Sequence, residues 1–346
     1  MTSDTTHFTV PLLDWYATNA RSLPWRNTKD PYQIWLSEVI LQQTRVVQGL
    51  PYYQRFVSAF PTVGDLAAAS EEAVLKLWQG LGYYSRARNM HATARLIQNE
   101  YGGVFPNTYA ELITLKGIGP YTAAAIASFA FKEVRAVVDG NVYRVLSRLF
   151  GISTPVNSTE GKKYFQALAD TLIDTKAPDS YNRAIMEFGA TVCTPKRPNC
   201  VQCVFNSRCE ASRTSQVATL PVKLKKATIT KRYLHYLCIE DAQQNIQLRR
   251  RPEGGIWAGL YEFPSIEANS PGLLEDSEIL NFIGQSARIR RLSDNPIIHK
   301  LSHQHLEVWA YKVEVDHIPA LQTPRATVQQ FPVSALMERL LQQFKI

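Results

Sequence analysis

Long apolar runs are missing from this 346-residue sequence; no stretch approaches the roughly 20 residues that a membrane-spanning helix needs. Met1 to Thr9 is polar and lacks the apolar core with basic flanks of a secretory signal. The expectation is an intracellular, cytoplasmic protein. Cysteine is scarce, with five residues, and in a reducing compartment closely spaced thiols point to metal rather than to disulfides. No internal repeat or low-complexity tract stands out, so solenoid and fibrous architectures are set aside. Before Cys193 almost nothing alternates with the period of a strand, and this part is expected to be all-helical. Acids are absent from Ser212 to His235, where Arg213, Lys223, Lys225, Lys226, Lys231 and Arg232 gather. Such a stretch reads as a basic linker, solvated or lying along a phosphate backbone.

What is present sets the class. Hydrophobic content of 45% and aromatic content of 10% are those of a globular chain, and 346 residues exceed one ordinary core, so two domains are expected. A formal net charge of +8 and a pI near 9.2 favour an anionic partner, nucleic acid ahead of membrane. Strand-like runs begin only near Ile229, at Tyr233 to Ile239, Ile246 to Arg250, Ile297 to Leu301 and Leu306 to Val315. A closing helix is expected near Val333 to Phe344, which makes the second domain α/β or α+β.

Asp30 to Arg45 organises the helical part. Asp30 followed by Pro31 is a helix start, a capping carboxylate before a residue whose missing N–H costs nothing at the first helical position. Ile34, Trp35, Val39 and Leu41 supply the apolar surface, and Glu38 lies one turn beyond Ile34 and Trp35. It is the only acid between Pro31 and Gly64. Either it is a half-buried Glu satisfied by a backbone or Arg partner, or it is an acid whose apolar setting raises its pKa for proton donation at neutral pH.

Three further patterns stand out. Cys193-x6-Cys200-x2-Cys203-x5-Cys209 puts four thiols within seventeen residues, enough to close around one soft metal centre. Zinc sites more often use two C-x2-C pairs. Leu115-Lys116-Gly117-Ile118-Gly119-Pro120-Tyr121-Thr122 reads as a tight turn between two helices, exposing backbone N–H groups that could bind phosphate. Val137-Val138-Asp139-Gly140-Asn141-Val142 places Asp139 as a helix cap, where a fixed carboxylate can also face a developing cation.

Together, S-E-V-I-L-Q-Q-T, G-L-G-Y-Y-S-R-A-R-N, L-K-G-I-G-P-Y-T-A, V-V-D-G-N-V and the cysteine loop resemble the adenine DNA glycosylases of the helix-hairpin-helix superfamily. The resemblance runs from about Phe8 to Cys209 and more faintly beyond. It implies a helical glycosylase domain over 1–211, with a six-helix barrel at about 27–137 and a cluster subdomain formed by 1–26 and 138–211. A basic linker at 212–227 and a Nudix-like domain at 228–346 would follow. It further implies a [4Fe–4S] cofactor on Cys193, Cys200, Cys203 and Cys209. The partner would be double-stranded DNA with adenine opposite 8-oxoguanine or guanine, and the protein a nucleoid-associated, prokaryotic-type monomer.

The site residues follow from the same resemblance. Glu38 would protonate adenine and Asp139 would stabilise the sugar cation or attack it, supported by Tyr121 and Asn141. The base must leave the stack first. Gln43 and Tyr83 fall where side chains enter the vacated stack, with Gln42 adjacent, and Gly117 and Gly119 form the hairpin on the phosphate. Arg21, Leu23, Trp25 and Arg26 match the adenine pocket rim. In the second domain, Arg251 to Pro264 resembles a Nudix strand and loop, but no R-E-x-x-E-E helix follows. A binding module is expected, with Ser302 and His303 meeting 8-oxoguanine and Leu301 standing where Phe is usual. Arg183 stands where relatives carry Gln or Glu, and it receives no role. An endonuclease III-like lyase would need a lysine at Tyr121. A non-catalytic DNA-binding module is the remaining alternative.

Overall fold

The computed structural model describes residues 6–224, 229–318 and 322–346; Lys225 and Lys226 of the basic linker lie outside them. In chain order the helices are α1 (Thr6–Asn19), α2 (Pro31–Leu41), α3 (Val46–Ala59), α4 (Val63–Ala68), α5 (Glu71–Trp78), α6 (Ser85–Tyr101), α7 (Tyr109–Leu112), α8 (Pro120–Phe131), α9 (Gly140–Phe150), α10 (Thr159–Leu172), α11 (Pro178–Thr191) and α12 (Glu210–Arg213). None of the described helices is long and apolar enough to cross a membrane. By packing, one unit comprises Met1–Ala67 with Ala92–Lys225, and the other Ala68–His91 with Lys226–Ile346, taken over their described residues.

In the first unit α2 and α8 form the centre. Asp30 caps α2, its Oδ1 accepting from Tyr32 N–H at 2.9 Å, ahead of Pro31. Every residue of α2 from Ile34 to Ile40 is buried, so this helix is enclosed on all sides rather than amphipathic. Full burial of Ile34 and Trp35 is worth about 1.5–3 kcal/mol each. α8 is also buried from Thr122 to Phe129, and its run of alanines lets α2 approach closely. α9, α10, α11 and α1 build a second core from Phe8, Leu12, Val145, Leu146, Phe165, Tyr181, Ile185 and Phe188. The tail of this unit is tied down: Arg148 Nε donates to the Leu220 carbonyl at 3.1 Å, and Leu224 N–H donates to Asn157 Oδ1 at 2.8 Å.

The cysteine loop departs from expectation. Among the described residues no group of three or more His, Cys, Asp or Glu side chains could hold a metal ion. Cys193, Cys200, Cys203 and Cys209 border one cavity of about 30 Å³, but the sulfurs of Cys193, Cys203 and Cys209 are engaged separately. Arg148 Nη1 lies 3.6 Å from Cys193 Sγ, Phe205 N–H donates to Cys203 Sγ at 3.4 Å, and Cys209 Sγ donates to the Arg148 carbonyl at 3.5 Å. Burial pushes the Cys203 thiol up to about 11. The [4Fe–4S] cofactor and the metal-binding loop expected from the spacing are therefore corrected to free thiols, of which Cys193, Cys203 and Cys209 pack against the core built by α1, α9, α10 and α11. Spacing along the chain limits how far apart sulfurs can lie; it does not aim them at one point.

The second unit is a sheet between helices. Its strands are β1 (Thr230–Asp241), β2 (Asn245–Gln247), β3 (Arg249–Arg250), β4 (Tyr261–Glu262), β5 (Ser265–Ala268), β6 (Arg288–Arg291), β7 (Ile297–Lys300), β8 (Gln304–Val315) and β9 (Gln322–Pro324), with α13 (Asp276–Ile283) and α14 (Ala335–Gln343). β1 and β8 pair in parallel over their whole length, from Thr230 opposite Gln304 to Asp241 opposite Val315. The main order is β6-β8-β1-β2-β9, β5 and β7 pair with β1 and β8, and β3 and β4 form a separate ribbon. Side chains alternate: Leu234, Tyr236 and Cys238 join the core under α14, while Leu237 and Ile239 join Ile279 and Ile283 of α13. Cys238 is buried there. Residues 68–91 pack within this unit: Arg250 Nη2 meets Glu71 Oε1 at 2.7 Å, and Tyr84 Oη donates to the Val333 carbonyl at 3.1 Å.

Candidate active site

A cavity of about 730 Å³ opens in the first unit and gathers residues from five places in the chain. The turn before α2 supplies Arg21, Leu23, Trp25 and Arg26; α2 supplies Glu38, with Gln42 and Gln43 just beyond its end; the hairpin supplies Gly117, Gly119 and Tyr121; the start of α9 supplies Asp139 and Asn141; and one face of α11 completes the wall. The central packing of α2 on α8 decides this meeting, since it sets the middle of one helix against the first turn of the other.

Glu38 is 7% exposed, and the Tyr121 hydroxyl donates to its Oε2 at 2.5 Å. Burial raises its pKa to about 7. The Tyr121 hydrogen bond opposes that rise, the nearby Asp139 carboxylate adds to it, and Arg183 and Arg26 oppose it. A carboxyl group that titrates near neutrality beside a cavity can deliver a proton there. Burial also drives the Tyr121 phenol upward, so it stays a neutral donor.

Asp139 caps α9. Its Oδ1 accepts from Asn141 N–H and Val142 N–H, both at 2.8 Å, and its Oδ2 accepts from Asn141 Nδ2 at 2.8 Å. Desolvation raises this carboxyl, while those three hydrogen bonds and Arg144 hold it down. Asn141 is itself held, its Oδ1 accepting from Arg144 Nη2 at 2.8 Å. The same Nη2 donates to the Gly189 carbonyl at 2.7 Å, linking the cap to α11. The result is a rigid carboxylate at a helix N-terminus, facing the same cavity as a protonatable one.

α2 ends at Leu41, earlier than a helix to Arg45. Gln42 is its cap and donates from Nε2 to Thr122 Oγ1 at 3.3 Å, while Gln43 takes a left-handed φ of 56° and turns the chain away. In the hairpin, Gly117 has φ 84° and Gly119 opens α8, both exposed, while Ile118 and Leu115 are buried beneath. A side chain at Gly117 would be strained in that conformation.

Tyr83, Ser302 and His303 belong to the second unit and do not line the cavity. Tyr83 is 47% exposed with φ 47°, and the Arg86 guanidinium lies 5.7 Å from its ring. Ser302 and His303 are exposed in the turn between β7 and β8, with Ser302 Oγ 3.3 Å from His303 Nδ1.

Two residues without an assigned role also line the cavity. Arg183 and Glu187 of α11 lie with Met186 and Ala190 on one helical face, at steps of three and four. That periodicity was available in the sequence, but nothing local says what the face meets. Arg183 Nη1 donates to the Arg26 carbonyl at 2.5 Å, and its guanidinium lies 5.0 Å over the Phe129 ring.

A profile describing HhH-GPD superfamily base excision DNA repair proteins matches residues 36–170, and a NUDIX domain profile matches residues 235–343. The adenine DNA glycosylase of Mus musculus is 36% identical over 379 residues, covering 93% of this chain and 73% of its own. That of Buchnera aphidicola subsp. Baizongia pistaciae is 35% identical over 303 residues, covering 86% of this chain and 83% of its own. Among solved structures, a thermostable thymine-DNA glycosylase superposes with a TM-score of 0.57 at 30% identity, covering 61% of this chain and 97% of that one.

Proposed function

Because the chain belongs to the adenine DNA glycosylases, hydrolases of the N-glycosidic bond, we propose a monofunctional enzyme that removes adenine opposite 8-oxoguanine or guanine, with Glu38 as general acid. The observation that carries this reading is the Glu38–Tyr121 pair in one cavity with Asp139. With the base flipped out, the Glu38 proton passes to adenine N7, the C1′–N9 bond breaks, and its electron pair leaves with the base. Asp139 stabilises the positive sugar or bonds to it transiently. Water then adds at C1′ and gives up its proton, leaving an abasic site. Asn141 holds Asp139, and Arg21, Leu23, Trp25 and Arg26 wall the base. Gln42, Gln43 and Tyr83 act on the stack, and Gly117 and Gly119 present the hairpin to phosphate.

A lyase would need an amine at the reacting sugar. Tyr121 occupies that place, and Lys116 precedes the hairpin. A silent binding module has no use for two carboxyl groups facing one cavity. We read 1–211 as the excising part, 212–227 as the connection, and 228–346 as an 8-oxoguanine reader, Ser302 and His303 supplying hydrogen bonds. The enzyme is read as a cytoplasmic, nucleoid-associated monomer.

The test is a duplex with one adenine opposite 8-oxoguanine, and a second with guanine. Adenine should be released, and the strand should break only after alkali; thymine opposite guanine should stay intact. Glu38→Gln should lower single-turnover release by roughly 10²-fold or more, with duplex binding retained. Intact adenine at enzyme excess, or near-normal release by the variant, would sink the reading.

A further inference from the structure

The Glu187 side chain is fully buried in the wall of the cavity that Glu38 and Asp139 also line. Its Oε1 accepts from the backbone N–H of Arg21 at 3.2 Å and from Arg21 Nε at 2.6 Å. Its Oε2 accepts from Arg21 Nη2 at 2.7 Å and from Arg26 Nη2 at 2.5 Å. Arg26 Nη1 closes the arrangement by donating to the Arg21 carbonyl at 2.9 Å. One carboxylate on α11 therefore fastens both arginines of the turn before α2, the turn whose Leu23 and Trp25 also wall the cavity. We propose that Glu187 is a positioning residue for the Glu38 acid: it fixes the guanidiniums of Arg21 and Arg26 in the cavity wall and cancels the charge they would direct at Glu38. The inference rests on Glu38 being the acid.

The charges around Glu38 make the case. α8 contributes the neutral Tyr121 hydroxyl, the cap of α9 contributes Asp139, α11 contributes Arg183 and Glu187, and the turn contributes Arg21 and Arg26. Three cations thus face two anions besides Glu38 itself. Without Glu187 the balance is three to one, beside a Glu38 carboxyl that is itself buried. Unpaired cations there favour the carboxylate form of Glu38, which has no proton to give. Glu187 can perform this task throughout the neutral range, because its hydrogen bonds from Arg21 and Arg26 outweigh its desolvation and hold it down to about 2.

The measurement is the pH dependence of single-turnover adenine release by the full chain. An acid that must be protonated produces an alkaline limb, and in the native protein it should fall near pH 7. Glu187→Gln keeps the size and an acceptor but loses the charge. It should move the limb down by about one pH unit, which is about a tenfold loss of rate on its alkaline side. Arg26→Gln should move the limb the opposite way, and Glu187→Asp, which keeps the charge, should leave it in place. A purely structural role would lower the rate of Glu187→Gln at every pH without moving the limb, and that result would overturn the inference. So would equal displacement of the limb by Glu187→Gln and Arg26→Gln. If Glu187→Gln fails to fold, the contrast between Arg26→Gln and Glu187→Asp decides. A native protein without a limb near neutrality would instead remove Glu38 from the acid role, which separates the two failures.

Discussion

Glu38 spends stability for reactivity, and the sign of that effect can be checked. Its carboxyl rises from an ordinary 4.5 to about 7 in the folded protein, so the folded state binds this proton more tightly than the unfolded chain. The resulting stabilisation is complete below about pH 4.5 and is lost as pH rises through about 7. Glu38→Gln has no proton to lose. Relative to the native protein it should gain about 3 kcal/mol of unfolding free energy between about pH 4 and about pH 8. Urea denaturation at the two pH values tests this, and a difference that does not change with pH would mean the carboxyl is not raised. The capping role of Asp139 and the burial of Glu38 were both legible from neighbouring residue types. That Tyr121 donates to Glu38 was not, because the partners are 83 residues apart.

At the scale of elements, the site depends on how closely α11 lies against the start of α9. A Cβ added at Gly189 would come within 2.6 Å of Asn141 Cβ and 3.0 Å of the Asn141 carbonyl oxygen. Neither can yield without moving the cap that carries Asp139. Gly189→Ala should therefore destabilise the protein by about 1–3 kcal/mol and slow adenine release as well, because Asn141 and Asp139 move with the strain. Thermal melting and single-turnover kinetics on the same preparation check both; a lower melting point with unchanged kinetics would show that the cap stays in place. The helix starts at Asp30-Pro31 and Asp139 were readable, since both are announced by capping chemistry. The end of α2 was not, because Gln43 adopts a left-handed conformation that its residue type does not advertise. The short strands β5, β6 and β9 also escaped notice: three or four residues cannot display a convincing alternation.

For the whole molecule, a net charge of +8 predicts binding to duplex that is strongly electrostatic. Affinity should fall by roughly three orders of magnitude between about 50 and 200 mM salt, if some six phosphates are neutralised. Fluorescence anisotropy across a salt series measures the slope, and a flat response would argue against a phosphate-dominated interface. By itself the sequence determined the two architectures, the cap residues, and a glutamate set in apolar surroundings, because these depend on periodicity and on chemistry within a few residues. Only the tertiary structure decided which distant groups meet: Tyr121 on Glu38, Glu187 on both pocket arginines, and residues 68–91 with the sheet unit. It also decided that the four closely spaced cysteines do not converge as a ligand set. Local patterns constrain a residue's own backbone and exposure; the direction of a side chain and the charge beside it come from packing between segments that the order along the chain leaves far apart.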